Sequence, residues 1–191
     1  ISLMKISIIT VCYNSVETIE ETIKSIQAQS YQNIEFVVID GGSTDKTLEV
    51  LKSYDDFISV CVSEPDGGIY DAMNKGIAHA CGDIIGFLNA DDFYGNDEVL
   101  KSVVQCFEDD PTLDACYSDL IYVDQFDSSR TVRYWQSNAF VSGAFSWGWC
   151  PPHPTFFVRR SIYERFGGFD LIYRIAADVE LMMRFLEVHE I

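Results

Sequence analysis

A short apolar, β-branched run recurs four times before residue 95, and each time it breaks at polar or Gly-rich residues. Lys5–Val11, Ile34–Ile39, Ile58–Val62 and Asp83–Leu88 have the length and composition of buried strands. Between them Val16, Ile19, Ile23 and Ile26 recur at helical spacing, Leu48 and Leu51 mark a second helix, and Ile69, Met73, Ile77 and Ala80 a third. Asn14 or Ser15 is placed to cap the first helix, with Glu17 completing a capping box with Asn14. Strands alternating with helices predict parallel βαβ units and an α/β fold. The βα loops near Tyr13, Asp40, Asp66 and Asp91 then converge on one crevice, at the sheet edge where open α/β sheets bind ligands.

Beyond Asn96 the alternation loosens. Glu98–Phe107 reads as a helix, Ala115–Val123 as a strand and Arg130–Tyr134 as a shorter strand. Ala139–Phe157, rich in Gly, Trp, Phe and Pro, reads as an irregular, substrate-facing loop. Val179, Met182, Met183 and Leu186 place Asp178 at the start of a final helix, Asp178–Val188, in which the chain stops as a shortened chain would. A length of 191 residues with 48% hydrophobic content predicts a single domain with an ample core.

The formal charge of -17 opposes nucleic acid and anionic headgroups, and no basic patch offsets it. It also repels a nucleotide diphosphate, so an anionic substrate needs a divalent cation to bring it in. The six cysteines are scattered, lack C-x-x-C spacing and mostly fall in apolar runs, which predicts reduced thiols in the cytoplasm. The pattern contains neither a spanning segment nor a secretion signal.

Asn89-Ala90-Asp91-Asp92 puts two adjacent carboxylates where the fourth strand stops. Such a pair is a hard oxygen site for Mg2+ or Mn2+, or else an ordinary turn and helix cap. Asp40, before Gly41-Gly42, either accepts a hydrogen bond from a nucleobase N–H or caps the bend. There is no P-loop and no G-x-G-x-x-G after the first strand, which favours metal-assisted binding over a phosphate-cradling loop.

Five segments in order, Ile6–Asn14, Val38–Asp45, Asn74-Lys75-Gly76, Asn89–Asp92 and Ala177–Glu180, closely resemble the inverting family 2 glycosyltransferases of GT-A fold, over nearly the whole chain. The resemblance implies a Rossmann-like, mostly parallel sheet flanked by helices, with residues 1–95 forming a nucleotide-sugar-binding half and 96–191 an acceptor-binding half. It implies a nucleotide-sugar donor, commonly a UDP-sugar, bridged by Mg2+ or Mn2+, and transfer with inversion at the anomeric carbon. Val11, Tyr13 and Asn14 then resemble the first nucleotide-binding loop, Asp40 the base-reading carboxylate and Lys75 a basic residue near the donor. Asp91 resembles the metal ligand of an Asp-x-Asp motif, with Asp92 beside it. Asn89 departs from that motif: an amide still reaches a ribose hydroxyl but brings no charge, which weakens metal affinity. Val11 stands where a proline is common.

Asp178 resembles the general base, although Ala177 replaces the usual Glu before it. The chemistry requires such a group, because an attacking hydroxyl must lose its proton as an oxocarbenium-like centre develops. At a helix start Asp178 is also an ordinary N-cap. His153 either faces donor phosphates or acceptor, or is a loop histidine with a backbone partner. Trp147 and Trp149 either stack on an acceptor sugar or pack on the core. Arg159-Arg160 either neutralises a phosphate or caps the loop with solvated charge, and His79 and His189 read as surface positions.

The expected activity is transfer of a monosaccharide to a saccharide or lipid-linked acceptor in cell-surface polysaccharide or glycolipid assembly. The expected location is cytoplasmic, with peripheral contact at the inner face of the membrane. A nucleotidyltransferase is the competing enzyme, and an inert nucleotide-sugar-binding domain, raised by Asn89 and Ala177, the competing non-enzyme.

Overall fold

β1 (Ile6–Cys12) is buried along its whole length, as a strand covered on both faces must be. The computed structural model describes residues 3–191. β1 pairs in parallel with β2 (Ile34–Asp40) on one side and β4 (Ile84–Phe87) on the other, and β2 pairs in parallel with β3 (Val60–Ser63). β8 (Phe157–Arg159) continues the sheet antiparallel to β4, and β5 (Ala115–Cys116) closes it, giving the order β3-β2-β1-β4-β8-β5. The result is one α/β domain with a mostly parallel sheet.

Because side chains alternate along a strand, each strand feeds two cores. Ile9, Val11, Val37, Ile39, Ile85 and Phe87 face one side, where α3 (Ile69–His79), α5 (Arg160–Phe166) and α6 (Ala177–Met183) pack. Ile6, Ile8, Phe36, Val38 and Ile84 face the other, against α1 (Ile19–Gln27), α2 (Thr47–Lys52) and α4 (Val99–Asp109). Polar groups buried in β1 find partners: Thr10 donates to the Leu88 carbonyl at 2.7 Å and Ser7 to the Glu35 carboxylate at 2.5 Å. Gly86 is required, since a Cβ there would fall on the ring of Phe157.

Several expectations are corrected. The first helix starts at Ile19, not after Asn14 or Ser15, and Thr18 at its N-cap makes no side-chain cap bond. Asn14 has a left-handed φ of 50°, and its amide oxygen accepts from the Thr44 and Asp45 N–H groups of the next loop instead. The single strand expected over Ala115–Val123 is two. β5 joins the main sheet, whereas β6 (Leu120–Val123) leaves it to form a hairpin with β7 (Thr131–Trp135). Asp119 fixes the change of direction, accepting hydrogen bonds from the Ser137 N–H at 2.7 Å and from the Tyr134 hydroxyl. The final helix begins one residue early, after Ala176 at φ 63°, and its last turn, Arg184–Val188, is π-helical.

Candidate active site

Two clefts open along the carboxyl edge of the parallel strands, and the turn after β4 is common to both. The first, about 770 Å³, is bounded by the β1 loop (Val11, Tyr13, Asn14), by Asp66 and Gly68 at the start of α3, and by Asn89 and Asp91. The second, about 830 Å³, is bounded by Asn89, Asp91 and Asp92, by His153, by Asp178 at the start of α6, and by Tyr122 and Trp135 of the hairpin. Asp91 and Asp178, 87 positions apart in the chain, therefore line one cleft.

Val11, Tyr13, Asn14, Asn89 and Asp91 all border the first cleft. Asp40 and Lys75, also expected at the site, border neither cleft. Asp40 is fully buried, and its carboxylate accepts from the Gly42 N–H at 3.1 Å, the Ser43 N–H at 3.0 Å, the Ser63 hydroxyl at 2.6 Å and the Ser43 hydroxyl. Burial opposes its charge, but these hydrogen bonds prevail and hold its pKa below the usual carboxylate value. In this structure Asp40 caps the bend. Lys75 is turned to Glu64 at 2.8 Å, Asp71 at 3.8 Å and the Pro65 carbonyl at 3.2 Å, and borders neither cleft.

Asp66 marks one of the four loops expected to converge on the crevice, with no role assigned to its side chain. It sits in the first cleft close to Gly41 and Tyr13, with one oxygen taking the Gly68 N–H at 2.8 Å. An acid just past the carboxyl end of β3 is the same signal that singled out Asp40 and Asp91.

In the second cleft Asp92 has its pKa pushed up to about 6, first by burial and then by the charge of Asp91. The Asn89 amide oxygen beside them is buried without a hydrogen-bond partner among the described residues. Two carboxylates and an orphaned amide oxygen are the hard donors that Mg2+ or Mn2+ takes, and they leave most of its coordination to substrate oxygens and water. No cluster of three or more His, Cys, Asp or Glu suited to a metal occurs among the described residues.

His153 is buried against Phe87 and Phe169, and its Nε2 has no partner among the described residues. Burial holds its pKa down to about 4 against the pull of Asp178, so at neutral pH it is an uncharged hydrogen-bonding group. Asp178 lies in the first turn of α6 with no side-chain cap bond. The N-cap alternative does not hold. Trp149 packs with Tyr117, Phe140 and Phe145 while Trp147 is 90% exposed, and neither borders a cleft. Arg159 and Arg160 bind backbone carbonyls of Leu113 and Gly82.

The profile of Glycosyl transferase family 2 matches residues 7–167. The chain belongs to that family. This family 2 chain is 36% identical over 181 residues to an uncharacterized glycosyltransferase of Mycobacterium tuberculosis, covering 94% of this chain and 68% of the relative. It is 31% identical over 182 residues to a PGL/p-HBAD biosynthesis glycosyltransferase of Mycobacterium bovis, covering 93% and 68%. Among solved structures it superposes on S. aureus TarS in complex with UDP with TM-score 0.76 at 23% identity, covering 95% of this chain and 54% of that one. The mannosyltransferase PcManGT of Pyrobaculum calidifontis, solved with GDP-Man and Mn2+, gives 0.69 at 25%, covering 93% and 50%. The chain thus spans about half the length of these solved proteins.

Proposed function

We propose that the chain transfers a monosaccharide from a nucleotide sugar, a UDP-sugar in the first instance, to a saccharide or lipid-linked acceptor with inversion. Cell-surface polysaccharide or glycolipid assembly on the cytoplasmic side is the setting this implies. The observation that carries the reading is the shared wall: Asn89 and Asp91 border both clefts, and Asp178 lines the second together with Asp91 and Asp92.

The first cleft takes the nucleotide, in line with a division between a donor half (1–95) and an acceptor half (96–191). Tyr13 offers an exposed ring to the base, and Asp66 an acceptor for a base N–H. Asp40 then acts from below, holding the Gly41-Gly42 bend, and Lys75 by ordering the Glu64–Asp71 turn at the head of α3. Asp91, Asp92 and Asn89 would hold a divalent cation, which supplies Lewis-acid stabilisation of charge on the departing diphosphate. His153 donates or accepts a hydrogen bond at the junction, because a neutral imidazole cannot act there as a fixed charge. Asp178 removes the acceptor hydroxyl proton from the side facing away from the nucleotide cleft. Tyr122 and Trp135 provide the aromatic wall for the acceptor that Trp147 and Trp149 do not. Among the described residues no helix is long and apolar enough to cross a membrane.

Calorimetric titration with UDP- and GDP-sugars, with and without Mn2+, followed by measurement of free nucleotide, tests this reading. Metal-dependent binding with nucleotide release supports it. Binding without turnover in any acceptor mixture would favour an inert nucleotide-sugar-binding domain.

A further inference from the structure

Tyr70 reaches from the first turn of α3 to Asp178 in α6, donating its phenolic hydrogen to Oδ1 at 2.9 Å. Among the described residues this is the one hydrogen bond the Asp178 carboxylate receives. The Tyr70 ring is stacked on Phe169 at 5.4 Å and 27°, and Phe169 packs edge-on against Phe87 and His153, so the phenol is held by packing against a buried aromatic group. We infer that Tyr70 is the positioning residue of the base: it holds Oδ1 so that Oδ2 is presented to the acceptor.

The surroundings of Asp178 leave that work to Tyr70. Cys150, pushed up to about 11 first by burial and then by Asp178, and His153, held down to about 4 by burial, both stay neutral at pH 7. Asp91, Asp92 and Asp119 line the same cleft and give Asp178 no hydrogen bond among the described residues. Burial and the Asp178 bond also raise the Tyr70 phenol above its ordinary value, which keeps it a donor throughout the physiological range. α3 and its N-cap carry first-cleft residues too, Gly68, Ile69 and Ala72, so one helix borders the nucleotide side and sets the base.

This inference rests on Asp178 being the base, and the test separates the two. Tyr70→Phe keeps the ring and its stacking and removes only the hydroxyl. With Mn2+, UDP release from UDP-glucose, UDP-galactose and UDP-GlcNAc is measured, with water or added monosaccharide as acceptor. The expected result is a kcat about 10-fold to 100-fold lower, the usual cost of a lost hydrogen bond to a charged group. KM for the UDP-sugar stays within about twofold, a split between kcat and KM that a general loosening of the fold would not give. A crystal structure of Tyr70→Phe is expected to show the Asp178 carboxylate rotated from its present orientation. An unchanged kcat, or an unmoved carboxylate should no donor in the panel turn over, overturns the inference. Asp178→Asn retaining full UDP release would instead sink the base reading itself.

Discussion

Replacing Glu35 by Gln should destabilise the protein at neutral pH, and the penalty should fade on acidification. Glu35 is 5% exposed at the foot of β2, where it receives the Ser7 hydroxyl at 2.5 Å, the Cys81 N–H at 2.7 Å, the Cys81 thiol at 2.7 Å and the Lys5 ammonium at 3.3 Å. Burial opposes its ionisation, but the Cys81 and Ser7 bonds and the Lys5 charge prevail and hold its pKa at about 2, against an ordinary 4.5. A depressed folded-state pKa contributes stability that is complete above the unfolded value and lost as pH falls through the folded one. At 1.36 kcal/mol per unit, the shift is worth about 3 kcal/mol at pH 7 and about 1 kcal/mol at pH 3. Glu35→Gln keeps the volume and one acceptor but not the charge. Urea unfolding of both proteins at pH 7 and pH 3 measures the gap. A difference equal at the two pH values would refute the electrostatic account and leave only packing.

Asp178→Asn should bind UDP-sugars as the wild type does in calorimetry yet release UDP about 10^2-fold more slowly, the scale of a positioned general base. Asp91→Ala should abolish the Mn2+ dependence of donor affinity; equal affinities with and without Mn2+ in the wild type would remove Asp91 from metal binding. Gly86→Ala forces a Cβ onto the buried Phe157 ring and should cost about 1–3 kcal/mol by urea unfolding, as overpacking does, without changing donor affinity.

The parallel half of the sheet was legible because β1, β2 and β4 are buried on both faces and so read as unbroken apolar runs. The other half was not. β8 has three residues, too few to show a period, and the turn at Asp119 depends on Ser137 and Tyr134 far along the chain. Likewise Asp91 and Asp178 could be found by residue type and place, whereas the burial of Asp40 depends on Ser63, contributed by the neighbouring strand β3. Lys75 lost its expected position to Glu64, eleven residues earlier. Which tryptophan faces the cleft follows from hairpin pairing, Leu120 opposite Trp135, and no local pattern encodes that.

The tripeptide Asn89-Ala90-Asp91 is a party wall between two chambers. Any exchange at 89 or 91 made to alter which nucleotide sugar enters will also reshape the room next door. Under the proposed function, donor and acceptor preference should therefore be retuned together, with changes on the far walls, Asp66 on one side and the β6–β7 hairpin on the other, as the places where each can be adjusted alone.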